Sequence, residues 1–423
     1  MNEDRFTVFF LTFLACGIVI GAMISLPPVM SPNDASQWNT VWSLNAGQGY
    51  VIDGAPYETF EKVVRAGRSY SSKPALMPTV VAGLAWLTRR PMGLSIPQDD
   101  GYVFRIVLIL INVLPFAAMV VLYARLLERL DCQFPARIFC VAAAAFGTYL
   151  TGYSVTLNSH TLAACAVFFA LYCLIRVQYD GQRHWGHFFL CGLFAAWAAA
   201  NEAPALLFVA IVSGILLRAN PRAALLYFLP PVLALCAAFF GATWLATGGL
   251  LPYASPPEPE VFFYKGRYWL NPFGFAAADD SAWLRLFHML LGRYGILSLT
   301  PIFVFAFYGA LLKARLQLIS RIGLLLTIGM LGFYALGARD YGGRCQGMPR
   351  LFWLIPFWLI SLAPAVDRAF RSPLFRALAF AALLVSLVSV GFALGAGGPY
   401  KVAGPWGLSW LHQAFWPLRS VNY

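Results

Sequence analysis

The chain has 423 residues, of which 60% are hydrophobic and only 11% are charged, and its mean hydropathy is +0.68. Soluble domains average roughly 45 to 50% apolar and about 25% charged residues, so this composition excludes an ordinary water-soluble protein. The net charge is +12. Because Lys and Arg lie in the short segments between apolar runs, as topology and anionic headgroups require, nucleic acid is not an expected partner.

Apolar runs of about 17 to 25 residues recur along the chain, which is the length that a helix needs to cross roughly 30 Å of hydrocarbon. Helices are the expected spanning element because each one closes its own backbone hydrogen bonds. We predict an all-α polytopic membrane protein, a single membrane domain over 1–423 with about eleven transmembrane helices. The predicted spans are 6–26, 103–124, 136–153, 161–177, 187–200, 203–217, 223–246, 295–312, 319–337, 351–366 and 374–396.

The first run ends at Pro27 and Pro28 without a small-residue cleavage site. This favours a retained first helix over a cleaved signal peptide. If the N-terminus is cytoplasmic, every short loop on that side is basic, which is the positive-inside pattern. The opposite face then receives a first extracytoplasmic loop, 28–102, with interfacial helices, and a second long one, 247–294. Loops that long are uncommon without a role, so we expect the chemistry there.

Asp34 lies a few residues beyond the first span and is followed by a stretch with helical spacing. A carboxylate at the membrane rim, flanked by proline and aromatic residues, can be partly desolvated and raised in proton affinity, as a general base requires. The alternative is a helix cap, because Asp at this position satisfies backbone N–H groups that lack helical partners. The residue chemistry alone favours the cap.

Cations gather in three loops on the predicted outer face, one of them directly before an apolar piece, Pro74 to Leu87, that suits an interfacial helix. Arg binds phosphate oxygens through a bidentate fork and Lys as a point charge, and nearby glycines let a ligand approach closely. Lipid-headgroup anchoring, or turns with interfacial arginines, would give the same pattern. The residues predicted to bind a donor phosphate are Lys73, Arg65, Arg68, Arg293 and Arg344.

Polar and aromatic residues on the same face are candidates for substrate binding. Polar groups at membrane depth are costly and tend to be functional, although a lone His at a span entrance is more often hydrogen-bonded structure. His184 and His187 have a spacing that suits a metal on a helix, but only Asp180 is available as a third ligand, so no metal site is predicted. The candidates are Asn33, Tyr70, Asn158, His160, Glu202, Tyr294, Arg339 and Tyr341.

Taken in order, these residues resemble the C-type glycosyltransferases of membranes (GT-C), in particular the bacterial relatives of the protein O-mannosyltransferase and aminoarabinose-transferase families. The likeness covers the first 90 or so residues by motif and the remaining spans by layout. Two features depart from the family pattern: Ala75 replaces the second proline of a Lys-Pro-Pro motif, and a second outer-loop acid is missing. The motifs are Asn33-Asp34, the helix from Trp38 to Leu44, the turn from Gly49 to Asp53, and Ser72-Lys73-Pro74.

The resemblance implies a hexosyl or pentosyl transferase that moves a sugar from a polyprenyl-phosphate carrier to an acceptor at the extracytoplasmic face of a bacterial inner membrane. It implies that Asp34 is the catalytic base and that Lys73 holds the lipid phosphate. The implied partners are membrane lipids, the lipid-linked sugar donor, and an acceptor that is a lipid, a glycan or a protein. It leaves the use of a divalent metal open and implies no other cofactor.

Two other classes of function compete with sugar transfer. A transporter or lipid flippase is the chief alternative, but transport through a helical bundle usually needs charged or broken helices at mid-membrane. The predicted spans have almost no ionisable residue near their centres. A non-catalytic scaffold for envelope assembly is the third possibility, and it would tolerate the loss of Asp34.

Overall fold

The computed structural model describes residues 3–65, 67–250, 262–264, 267–269, 281–292, 294–337, 345–395 and 398–400. Over these residues the regular secondary structure is helical apart from two short β-hairpins. Eight of the described helices are long and apolar enough to cross a membrane, and Ala203–Ala219 and Ile302–Leu311 are shorter apolar helices. The chain is therefore a helical, polytopic membrane protein, as its apolar runs predict.

The helices follow the predicted apolar runs, and the segment 28–102 adds two short helices and a hairpin between the first two long ones. In the first part of the chain the elements are α1 (Glu3–Ser25), α2 (Pro32–Asn45), β1 (Lys62–Arg65), β2 (Arg68–Ser71), α3 (Leu76–Arg89), α4 (Asp100–Leu108), a π-helical turn (Ile109–Val113), α5 (Leu114–Arg129), α6 (Phe134–Phe146), α7 (Tyr149–Tyr153), α8 (Ser159–Gln178) and α9 (Trp185–Asn201).

The second part contains a second hairpin, which follows the long helix that ends at Thr247. Its elements are a 3-10 turn (Ala203–Ala205), α10 (Leu206–Ala219), α11 (Pro221–Ala223), a π-helical turn (Ala224–Phe228), α12 (Leu229–Thr247), β3 (Phe262–Tyr264), β4 (Arg267–Trp269), α13 (Ala282–Leu290), α14 (Ile302–Leu311), α15 (Gln317–Leu336), a 3-10 turn (Pro349–Leu354), α16 (Ile355–Ala369), α17 (Pro373–Ala393) and a 3-10 turn (Gly398–Tyr400).

Two details differ from the sequence-based expectation. The predicted span 295–312 is helical only over Ile302–Leu311, because the residues before it form turns that end at an N-cap proline, Pro301. The hairpin of β1 and β2 was not predicted, although two valines precede the turn and Gly67 lies in it with φ +76°. A positive φ at glycine suits a tight hairpin turn.

The contacts divide the helices into two compact units. One unit contains most of α1 together with α5 to α7 and α13 to α17. The other contains α2 to α4, α8 to α12 and both hairpins.

In the first unit, α16 is buried along most of its length and packs against α14 and α15. Gly309 of α14 meets α16 so closely that a Cβ atom there would lie 1.8 Å from the backbone oxygen of Ser361. On the other side, the Trp358 Nε1–H donates to Thr327 Oγ1 at 2.8 Å. Small residues allow helices in a membrane to approach each other, and hydrogen bonds across the contact strengthen it.

We expect Gly309→Ala to destabilise the protein by about 1 to 3 kcal/mol, because the added methyl group forces α14 and α16 apart. Gly329→Ala on α15 is the matched control, since nothing lies within 4 Å of a Cβ atom there and Ala favours helix over Gly. Thermal unfolding in detergent measures the difference. Equal melting temperatures for the two variants would show that α14 and α16 accommodate the added methyl group without loss of stability.

In the second unit, α2 is almost entirely buried and is fixed to its neighbours on two sides. The Trp38 ring stacks on Phe104 of α4, with 3.6 Å between ring centroids. Asn39 exchanges two hydrogen bonds with the backbone of Tyr57, and the Tyr57 hydroxyl donates to Asp100 Oδ2 at 2.6 Å. The first long loop is therefore tied to the start of the second long helix.

Candidate functional site

A recess with about 340 Å³ of empty space, part of it open to solvent, lies between the segment 28–102 and the end of α12. Most of its lining side chains are polar, and the cation among them is Lys73. We call this site the recess. Its lining residues are Thr40, Tyr50, Tyr70, Ser71, Lys73, Ala75, Pro78, Thr243, Ala246 and Thr247.

Lys73 is held in the recess by the hairpin and by the start of α3. It follows β2 by two residues, and its backbone N–H donates to Ser71 Oγ at 3.1 Å. Its Nζ lies 2.8 Å from Glu61 Oε2, and the Ser72 hydroxyl donates to the same carboxylate oxygen at 3.0 Å. The recess therefore contains a cation whose present counter-ion is a carboxylate.

The N-terminus of α3 lies beside Lys73 and lacks a side-chain cap. Its N-cap residue is Ala75, whose side chain has no oxygen to accept from the first-turn N–H groups, and both Ala75 and Pro78 line the recess. A helix N-terminus carries a partial positive charge and exposed donors, which favours an anion. The recess is thus bordered by both the cation of Lys73 and the uncapped N-terminus of α3.

Asp34 lies in the first turn of α2 and closes a capping box with Ser31. Its Oδ1 accepts from the Ser31 backbone N–H at 2.6 Å and from the Ser31 hydroxyl at 2.8 Å, and Oδ2 accepts from the Met30 N–H at 3.0 Å. Asp34 has no exposed surface, and this burial raises the pKa of its carboxyl to about 6 against the opposing effect of those bonds. This is the helix-cap geometry; the catalytic role stays a prediction.

Asp34 is nevertheless close in sequence and structure to the recess. Two residues further along α2, the Ser36 hydroxyl lies 2.7 Å from the hydroxyl of Ser71, and one turn later Thr40 lines the recess. The carboxylate itself points back towards Met30 and Ser31 and is not among the residues that line the recess. An acceptor can reach it only if the first turn of α2 opens.

His160 Nδ1 lies against Glu202 Oε1, and the Ser159 hydroxyl donates to the same oxygen at 3.3 Å. Both residues were predicted to bind substrate, and the structure brings them together at one end of α8 and α9. Asn158 is the N-cap of α8, where its Oδ1 accepts from the Thr161 N–H at 2.8 Å. Its role in the fold is therefore a helix cap, the usual function of Asn before a helix.

The His160–Glu202 pair belongs to the same end of the second unit as the recess. Ala200, two residues before Glu202, packs against a small apolar cluster of Ala75, Leu76 and Ala242. Since Ala75 also lines the recess, the last turn of α9 lies behind the part of the recess wall that Ala75 forms.

The structure does not bring every predicted residue to the recess. Arg65 and Arg68 face each other at the tip of the hairpin, and neither lines the recess. Asn33 accepts from Gln37 Nε2 at 2.7 Å along α2. Tyr294 lies in the other unit, where it lines a largely apolar cavity with Phe303. Four predictions lie outside the described residues: Arg293, Arg339, Tyr341 and Arg344.

Sequence reasoning missed Glu61 and the two threonines of α12. The two valines of β1 and the turn glycine before Arg68 are a hairpin signal. In the observed register Lys62 pairs with Ser71, which sets Glu61 opposite Ser72, next to Lys73. Thr243 and Thr247 have an i, i+4 spacing at the end of an apolar run, which places both hydroxyls on one helix face.

Within the ranges that the structure describes, no three His, Cys, Asp or Glu side chains group together as a metal site would require. Comparisons of the chain with models of protein families and with curated proteins gave no match in either case.

Proposed function

We propose that this chain is a membrane glycosyltransferase that takes a hexose or pentose from a polyprenyl-phosphate carrier. The single observation that carries the proposal is the recess, in which Lys73 and the uncapped start of α3 converge beside the end of a membrane helix. This combination suits an anion that belongs to a lipid. The resemblance of the sequence motifs to C-type glycosyltransferases supports the same class of donor.

The surroundings of the recess favour an amphiphilic ligand over a free anion. Thr243, Ala246 and Thr247 of α12 line the recess, while the residues between them, Trp244 and Leu245, are 57% and 74% exposed. Large exposed apolar side chains on a membrane-spanning helix face lipid, since water cannot solvate them. A phosphate in the recess would thus leave its isoprenoid chain beside α12, in the hydrocarbon of the bilayer.

The proposed reaction breaks the bond between the anomeric carbon and the phosphate oxygen, and the phosphate leaves with the electron pair. The charge that develops on this oxygen is stabilised by Lys73 and by the N–H groups of α3. The acceptor hydroxyl forms the new bond to the anomeric carbon, with inversion, and its proton goes to a carboxylate. Asp34 is the proposed base, and its raised pKa suits that role.

We further propose the orientation and the finer topology. The basic short loops support a cytoplasmic N-terminus and an extracytoplasmic recess. A count of eleven spans is reached when α9, α10 and α14 are added to the eight long helices. In this arrangement the enzyme lies in a bacterial inner membrane, and its acceptor is an envelope lipid, glycan or protein.

The purified protein, reconstituted in liposomes with a radiolabelled polyprenyl-phosphate sugar, tests the proposal. We expect sugar to appear on extracted envelope acceptors and polyprenyl phosphate to be released in equal amount. Empty liposomes control for spontaneous hydrolysis. Transbilayer movement of the labelled lipid without any sugar transfer would contradict the proposal and indicate a flippase.

A further inference from the structure

We propose that Glu61 determines which anionic headgroups the recess accepts, because its carboxylate is both the counter-ion that the ligand displaces from Lys73 and a fixed negative charge beside the site. The inference rests on the proposed function in one respect, namely that the natural ligand is the phosphate of a lipid-linked sugar. Neither the sequence motifs nor the family resemblance indicates that Glu61 determines specificity.

The contacts of Glu61 already match those that a phosphate would make. Its Oε2 lies 2.8 Å from Lys73 Nζ and 3.0 Å from the Ser72 hydroxyl. The exposed fractions of the Lys73 and Glu61 side chains are 26% and 18%, so the pair is partly shielded from water. A carboxylate with a cation and a hydroxyl on one oxygen occupies the position of a phosphate oxygen.

The backbone of Glu61 is held by hydrogen bonds that do not involve its carboxylate. The Ser36 hydroxyl donates to the Glu61 carbonyl oxygen at 2.5 Å, and the Ser72 N–H donates to it at 3.3 Å. Rotation of the side chain therefore releases the carboxylate from Lys73 without disturbing α2 or the hairpin. Because the backbone stays in place, the displaced carboxylate stays within a few ångströms of the bound anion.

The charges of the recess then limit the ligand. Among the described residues that line the recess, Lys73 carries the only charge, and the others are Tyr, Thr, Ser, Ala and Pro. Glu61 does not line the recess itself, but its carboxylate lies 2.8 Å from Lys73 Nζ and adds one negative charge beside it. A phosphodiester carries a single negative charge, so it replaces the carboxylate of Glu61 beside Lys73 with another singly charged anion. A diphosphate brings about three negative charges. The first of them offsets the charge of Lys73, so each additional charge is repelled by the carboxylate of Glu61 at short range, which lowers affinity by about tenfold or more.

The test compares the protection of Lys73 by two probes, methyl farnesyl phosphate with one negative charge and farnesyl diphosphate with about three. Acylation of Lys73 by an amine reagent is quantified by peptide mass spectrometry in detergent, with exposed Lys313 as the internal reference. We expect the wild type to be protected by the diester at concentrations at least about tenfold lower than by the diphosphate. In Glu61→Gln, that preference should shrink to about threefold or less.

Glu58→Gln is the matched control, because Glu58 is an exposed residue of the same loop, and it should keep the wild-type preference. Glu61→Asp keeps the charge and should keep the preference as well, which separates charge from folding defects in the Gln variant. An unchanged preference in a folded Glu61→Gln protein would overturn the inference. The labelling involves no sugar transfer, so an inactive wild type with this response would refute the proposed reaction alone.

Discussion

Asp34→Asn should reduce sugar transfer by about 10²- to 10⁴-fold, the range that a general base contributes, while the protein still folds and inserts. The amide keeps an oxygen that can accept from the Ser31 N–H, but it loses the bond that the Met30 N–H donates to Oδ2. The variant cannot take a proton from the acceptor. The measurement is the initial rate of transfer in liposomes, normalised to the amount of reconstituted protein.

Ser31→Ala is the control for the structural role, since it removes the other half of the capping box and leaves the carboxylate in place. The pH profile gives a second check. Because the pKa of Asp34 is raised to about 6, the carboxyl is protonated below that pH and cannot act as a base. The wild-type rate should therefore fall below about pH 6. Near-normal transfer by Asp34→Asn would leave Asp34 as a helix cap and exclude it as the base.

Lys73→Met should raise the donor concentration needed for half-maximal rate by about 10- to 100-fold, because a hydrogen bond to a charged group contributes roughly 1.5 to 3 kcal/mol. Methionine preserves the length and the apolar stem of lysine but has no charge. Lys62→Met, on the neighbouring strand β1, removes the same charge outside the recess and should change the donor requirement by less than about threefold.

The loss of Lys73 also leaves Glu61 without its partner, and an unpaired carboxylate could by itself repel the donor. The double variant Lys73→Met with Glu61→Gln separates the two effects. If the double variant recovered the full wild-type donor affinity, Lys73 would be a counter-ion of Glu61 and not a phosphate ligand.

The apolar runs predicted most of the long helices, because a bilayer imposes both a minimum length and a helical backbone on any segment that crosses it. Helical spacing after Asp34 and the short apolar run from Pro74 to Leu87 likewise predicted α2 and α3. Lys73 and Tyr70, both predicted from the sequence, meet in the recess. The helix predictions depend on local pattern or on solvent, and the roles of Lys73 and Tyr70 stay predictions.

The sequence could not show where side chains point or which distant segments meet. Asp34 turns back to Met30 and Ser31 because those N–H groups lie within reach, and the residue chemistry favoured this cap without excluding a base. Glu61 reaches Lys73 only through the register of an unpredicted hairpin. Thr243 joins the recess from a helix about 170 positions along the chain from Lys73, a distance that residue spacing alone does not bridge.

The stacking of Trp38 on Phe104 and the hydrogen bond from Tyr57 to Asp100 have a consequence for ligand affinity. They hold the first loop in position by contacts within the protein alone, so the loop is ordered before any lipid arrives. Binding to a loop that is already ordered costs less conformational entropy than binding that must first order the loop. Shortening the isoprenoid chain of the donor should then weaken binding in proportion to the hydrocarbon area that is no longer buried. We expect no chain length below which binding is lost abruptly because the loop fails to order.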